Sequence, residues 1–230
     1  MDATRLIFDG KLTPWVSVSL QRTGQCNSHA GIFYRNRQRL IAHLHFAWHK
    51  SLKNDMAWGN VIGCVPPLDE ADAKWLSGFC RRIAKTAPRR NIPYNLKHDS
   101  SVCFNRQTGS ISFGPDSTGL GCATFVLAVF RSARLPLIDF DSGWPPPTDA
   151  DRKARRVILA ELARDQHADT RNQAPKIADE INLPRIRPDH VAGACLEISM
   201  TGAGVMYAAC EANGSEVTRR MDAHFLATRP

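Results

Sequence analysis

The sequence predicts an α+β fold, in which a small antiparallel sheet packs against one apolar helix and a mainly helical C-terminal extension follows. Three observations carry that reading. Several short β-prone runs crowd the first 65 residues, with "PWVSVSLQ" (14–21) alternating apolar and polar as a half-buried strand does. "GLGCATFVLAVF" (119–130) is a small-residue turn that feeds a run apolar on all sides, as a core helix is. Beyond the Pro-rich "FDSGWPPPTDADRK" (140–153), the strand signals give way to helical ones such as "ARRVILAELARD" and "SEVTRRMDAHFLA". The boundary therefore falls near residue 145, giving a core over 1–145 and an extension over 146–230 that covers it or shapes a groove.

Along the chain, "HAGIFY" (29–34) and "RLIAHLHF" (39–46) are β-prone runs joined by the short polar "RNRQ", a hairpin turning near Asn36–Gln38. "NVIGCV" (60–65) is a further strand. "PPLDEADAKWLSGFCRRIAKTAP" (66–88) is the clearest helix. Acidic residues open it, Trp75, Leu76, Phe79, Cys80 and Ile83 recur at helical spacing, and basic residues crowd its end before Pro88 stops it. The polar stretch to about residue 118 is long for a connection and has room for a small "SVCF…SISF" hairpin. The apolar helix runs from Gly121 or Cys122 to about Ala133.

Composition bounds the function. The 230 residues are 43% hydrophobic and 23% charged, values of an ordinary folded chain. The net charge of +8 is uneven: residues 1–145 hold 18 Lys/Arg against 10 Asp/Glu, and residues 146–230 hold 12 against 12. The excess biases the N-terminal part toward anionic partners, although no nucleic-acid motif is present. Seven cysteines at irregular spacing, without a CxxC pair, argue against structural zinc and for reduced thiols. No window reaches the roughly 18 apolar residues of a spanning helix, and no ordinary signal peptide is visible. The expectation is a cytoplasmic protein, with export as an effector by a signal-independent route open. No cofactor fingerprint is found.

Chemistry concentrates at three places. Cys122 sits at a helix start, where the positive end of the macrodipole favours thiolate and the unpaired first-turn N–H groups suit an oxyanion. Gly119 and Gly121 leave room for a substrate to approach the backbone there. His29 opens a strand and would serve as general base. His43 and His45, two residues apart, point to one face of their strand, and either could lie opposite His29 and fix its orientation. His49 is a weaker fourth histidine. The set argues against a metal because no supporting carboxylate is evident in the sequence.

These residues carry a resemblance. "HAGIFYRNRQRLIAH" resembles the "HVGIYIGNG…IH" hairpin of the NlpC-type cysteine peptidases, "GCATFVLAVFRSARLP" their "DCSGFVQYVF…LP" nucleophile helix, and "NIPYNL" their "PYxWGG" segment. Here the histidine precedes the cysteine. That order is the one found in the circularly permuted branch of the papain-like superfamily, which includes the lecithin:retinol acyltransferase-like proteins. The likeness spans about residues 14 to 138. It implies a papain-like, permuted NlpC-type sheet packed on the nucleophile helix, with Cys122 as nucleophile, His29 as base, His43 as the third member (His45 the alternative) and Tyr94 and Gly121 in support. It implies a cysteine hydrolase of peptide-like or other acyl substrates, working through a thioacyl enzyme. The sequence departs from the family at Gly121, which replaces Asp or Asn, in "CATF" where lipid-modifying members read "CEHF", and in lacking "WGG". An amide or isopeptide bond is the expected target. A lipid ester, or a catalytically silent binding module, is the alternative.

Overall fold

The computed structural model describes residues 6–8, 14–23, 28–56, 61–86, 91–141, 143–198 and 203–227. Among the described residues eight strands and six α-helices make an α+β fold. The strands are β1 (Leu6–Phe8), β2 (Val16–Arg22), β3 (Ser28–Arg35), β4 (Ile41–Trp48), β5 (Ser51–Met56) and β6 (Val61–Cys64), then a small hairpin of β7 (Cys103–Phe104) and β8 (Ile111–Ser112). The helices are α1 (Glu70–Thr86), α2 (Cys122–Ser132), α3 (Asp149–Arg164), α4 (Ala168–Arg171), α5 (Pro188–Cys195) and α6 (Tyr207–Ala227), with a 3-10 helix over Pro175–Asn182.

The main sheet is antiparallel throughout, in the order β1-β6-β2-β3-β4-β5. Its two faces follow from strict alternation. Val18, Leu20, Ala30, Ile32, Leu44 and Phe46 are buried on the face that packs against the helices. Ser17, Ser19, His29, Gly31, Phe33, His43 and His45 take the other positions of β2, β3 and β4. The β3–β4 hairpin closes as expected, with Asn36 N–H donating to the Leu40 carbonyl at 2.9 Å and Arg39 in the left-handed region at φ 62°.

α2 is the central helix. Every residue from Ala123 to Phe130 is buried, so it has no wet face, which accounts for its uninterrupted apolar sequence. The chain enters it through a tight crossing. Leu120 N–H donates to the Pro93 carbonyl at 2.9 Å, and Asn95 N–H to the Leu120 carbonyl at 3.1 Å. Gly119, at φ +129°, makes the crossing possible, because a Cβ there would lie 2.1 Å from the Pro93 oxygen.

Residues beyond 145 grip this crossing. Arg155, 1% exposed, donates from Nη2 to the carbonyls of Leu96 (2.8 Å) and Pro184 (2.9 Å), and from Nη1 to those of Ile181 (3.2 Å) and Leu183. Gln173 Nε2 donates to the Tyr94 carbonyl at 2.7 Å, and Glu180 accepts from Leu96 N–H at 2.7 Å and from Thr118 Oγ1 at 2.6 Å. The buried α5, which periodicity did not reveal, belongs to the same apolar cluster as the sheet and α2. It crosses α6 where Gly193 meets Gly214; a Cβ on Gly193 would lie 2.4 Å from the Gly214 nitrogen. No helix among the described residues is long and apolar enough to cross a membrane.

Candidate functional site

The start of α2, the His29 end of β3, the end of β4 and the Tyr94 segment converge on a cavity of about 230 Å³. Cys122, His29, Tyr94 and Gly121 all line it, and among the described residues no hydrogen bond joins the Cys122 thiol to His29. The far wall comes from beyond residue 145, where Arg155, Ile158, Glu161 and Arg185 contribute side chains. Tyr94 is 8% exposed, and its ring lies 5.1 Å from that of Trp48 and 5.9 Å from that of Phe46. Burial pushes its phenol well above the ordinary range, so it is a neutral wall at any physiological pH.

The partner of His29 is His45. His29 Nε2 and His45 Nδ1 are 2.8 Å apart, and His45 Nε2 reaches the Asp55 carboxylate at 3.3–3.4 Å. His43, expected as the third member, instead turns its Nε2 to Ser19 Oγ at 2.8 Å. The register explains the correction. His43 lies directly across from Phe33, and one step of two residues carries His45 toward the strand end where His29 sits. The two rings of β4 stack at 4.3 Å and 11°, as residues on one face should.

Gly31 is the residue that lets this happen. It pairs with Ser19 on β2, and a Cβ on it would lie 2.4 Å from His43 Nε2, 2.7 Å from His45 Cβ and 3.0 Å from Ser19 Oγ. The imidazoles occupy the space that a side chain would fill. Asp55 sits on β5 directly across from His43. Neither Asp55, Ser19 nor the spatial role of Gly31 was read from sequence. The signal for Gly31 was present as an isolated glycine inside a strand pattern. Asp55 lies in "SLKNDM", too polar to read as a strand.

The electrostatics correct one further expectation. Burial drives the Cys122 thiol above its ordinary pKa; backbone N–H groups of Ala30, Ala123 and Cys122, with Arg185, pull the other way and do not win. The helix end therefore polarises the sulfur without holding it as thiolate. Burial lowers His29 to about 4, against a weaker upward pull from Asp55, and His43 to about 2. His45 is lowered by burial as well. At neutral pH all three imidazoles are uncharged. The glycines also differ from expectation: Gly119 serves the Pro93 crossing, and Gly121 donates its N–H to Thr124 Oγ1 at 2.7 Å.

His43, His45 and Asp55 do offer three ligand atoms within 4.8 Å of one another, so the carboxylate missing from the sequence reading exists in space. A metal there would take His45 Nε2 away from Asp55. His49 stands apart from this group: its Nδ1 accepts the Tyr94 N–H at 3.3 Å and its Nε2 lies 3.6 Å from Asp169. Cys26 lies outside the described residues. Compared with models of protein families, with curated proteins and with solved structures, the chain matches none.

Proposed function

We propose that the chain is a thiol hydrolase of an amide or isopeptide bond, built on a permuted papain-like core, with Cys122 as nucleophile, His29 as base and His45 as the residue that orients it. The observation that carries this reading is the chain of contacts from His29 Nε2 to His45 Nδ1 (2.8 Å) and from His45 Nε2 to Asp55, beginning at a histidine that shares a cavity with Cys122.

Proton bookkeeping makes that chain directional. Ionised Asp55 only accepts, so Nε2 of neutral His45 carries the hydrogen and Nδ1 accepts. His29 must then donate from Nε2, which leaves a lone pair on Nδ1. That nitrogen takes the Cys122 proton as sulfur attacks the carbonyl. The C–N bond breaks as the amine leaves with the proton from His29, and water releases the acid from the thioester. The oxyanion formed in each step meets first-turn N–H groups of α2, which have no carbonyl partner within the helix. Because thiol and imidazole are both neutral at rest, proton transfer accompanies attack.

The cavity supports an amide over a lipid ester. Arg185 and Glu161 line it with both signs of charge, which suits a polar peptide-like substrate better than an acyl chain. The test combines a screen of fluorogenic amides and acyl esters with mapped iodoacetamide labelling. Turnover should vanish in Cys122→Ala, and labelling of Cys122 should slow in His29→Ala. Turnover that persists in Cys122→Ala, or Cys122 labelling indifferent to His29, refutes the reading; ester turnover without amide turnover transfers it to lipid substrates.

A further inference from the structure

We infer that a second site, at the opposite end of β3, binds a linear phosphate polymer. A groove of about 580 Å³ lies between the β3–β4 turn and the C-terminal half of α1, with Arg37 on one wall and Arg81, Arg82 and Lys85 on the other. Tyr34 and Asn54 contribute to its lining, joined by a 2.7 Å hydrogen bond from the tyrosine hydroxyl. The site is independent of the thiol chemistry. His29 and Tyr34 are five steps apart along the strand, about 17 Å at strand rise.

Charge is the central observation. Among the described residues no carboxylate lines the groove and none of the four cations is in an ion pair. Arg81 Nη1 and Arg82 Nε donate to the Arg35 and Arg106 carbonyls at 3.0 Å each, which orients the guanidinium groups and leaves their charge uncancelled. The acids of α1, Glu70 and Asp72, both sit in its first turn, at the far end of the helix.

A solvated helix end is the simpler explanation, since a C-terminus prefers cations. The macrodipole there amounts to only about half a charge, however, and four cations exceed it several-fold. Arg37, moreover, is not on the helix. Gly78 also fits a built groove: it shares the Arg81–Arg82–Lys85 stripe at i, i+3, i+4 and i+7, and a Cβ on it would come within 3.2 Å of Arg81 Nη2. Its absent side chain gives the guanidinium room to lie over the helix surface. Guanidinium forks suit phosphate oxygens, and several fixed cations around one groove favour a ligand with several anionic groups over a single ion.

The test uses the full chain with two phosphate polymers, an oligothymidylate strand and short-chain inorganic polyphosphate, and with poly-glutamate as a carboxylate polymer of like charge. Arg37 and Lys85 are exposed, so Arg37→Gln/Lys85→Gln leaves the core untouched. Counterion release predicts a slope of log K against log salt of about −2.8 for four strand phosphates neutralised, falling to about −1.4 in the double variant. Lys153→Gln/Arg156→Gln, exposed and outside the groove, should leave the slope unchanged. Binding of both phosphate polymers with this slope change supports backbone recognition; binding of only one names the source. Failure of both to bind, equal binding of poly-glutamate, or the same slope in the double variant overturns the proposal. Cys122 labelling should be normal in the groove variant, so the two sites stand or fall separately.

Discussion

On one face of β3 and β4, starting from His29 at the Ser28 end of β3, three imidazoles are gathered where burial strips them of charge, and His29 and His43 are pushed to about 4 and about 2. At the Arg35 end of the same strand, four cations surround an open groove with no carboxylate among its described lining residues. One end removes charge so that a proton can be handed between neutral partners; the other keeps charge facing water. The contrast separates two uses of polar residues. Chemistry needs fixed tautomers and short contacts in a dry site, whereas attraction needs uncompensated charge at the surface.

The first way to break this contrast is at the dry end, by comparing the two histidines of β4. His45→Ala should cost most of the factor of about 10²–10⁴ that a general base supplies, because His29 then loses the partner that fixes its tautomer. His43→Asn should cost little in rate, since its Nε2 serves Ser19. The measurement is the rate of Cys122 alkylation or amide turnover in both variants. The reverse ranking would return His43 to the role that resemblance gave it. His29→Ala/His45→Ala should be no worse than His29→Ala alone, because the two act as one unit.

Gly31→Ala comes next. Its new methyl must displace His43 Nε2, which lies 2.4 Å from the ideal Cβ position, or the Cβ of His45 at 2.7 Å. Overpacking of this kind costs about 1–3 kcal/mol, read as a lower denaturation midpoint, and the same variant should slow Cys122 alkylation as His45→Ala does. A stable protein with normal alkylation would mean that the hairpin has slack that the tight packing around Gly31 hides.

How much of this was legible in the sequence depends on distance along the chain. The β3–β4 hairpin, α1, the β7–β8 hairpin and α2 were readable because each is set by local periodicity and turn residues. β1, β5, α4, the 3-10 helix and α5 were not, and two of them show why. β5 reads as a polar loop because its Lys53 and Asn54 face water or pair across strands. α5 reads as punctuation because "PDHVAGAC" is short and opens on proline. The choice between His43 and His45 was beyond reach for the same reason: both share a face, and only the register, fixed by pairs such as Phe33↔His43, says which one is near His29. Asp55 was lost with β5. The thiolate expectation failed because the helix-end effect is visible in sequence, while the desolvation that outweighs it depends on what packs around Cys122.

Acid should expose the cost of the dry end. His29 and His43 both have folded pKa values below the 6.5 of a free imidazole, so the unfolded chain binds more protons below that pH. The stability they contribute is full above about pH 6.5 and falls as pH drops, the His29 share being spent by about pH 4 and the His43 share continuing toward about pH 2. Each unit within the window removes about 1.4 kcal/mol per group. His43→Asn should therefore flatten the loss of stability between pH 6.5 and 4 relative to the parent, read from denaturation midpoints across that range. An equally steep curve would mean that His43 is wetter than its 3% exposure indicates.

The smallest effect is expected at Asp55, whose contact with His45 is long and whose side chain is 35% exposed. Its charge raises the His29 pKa against burial. Asp55→Asn keeps an acceptor for His45 Nε2 and removes that charge, so the His29 titration followed by NMR should move below about 4 while turnover at neutral pH changes less than about tenfold. Asp55→Ala should move the titration by a similar amount and cost more in turnover, because the acceptor that sets the tautomer is gone as well. Equal turnover in the two variants would show that burial alone orients His45, and the chain of contacts would then end at His45.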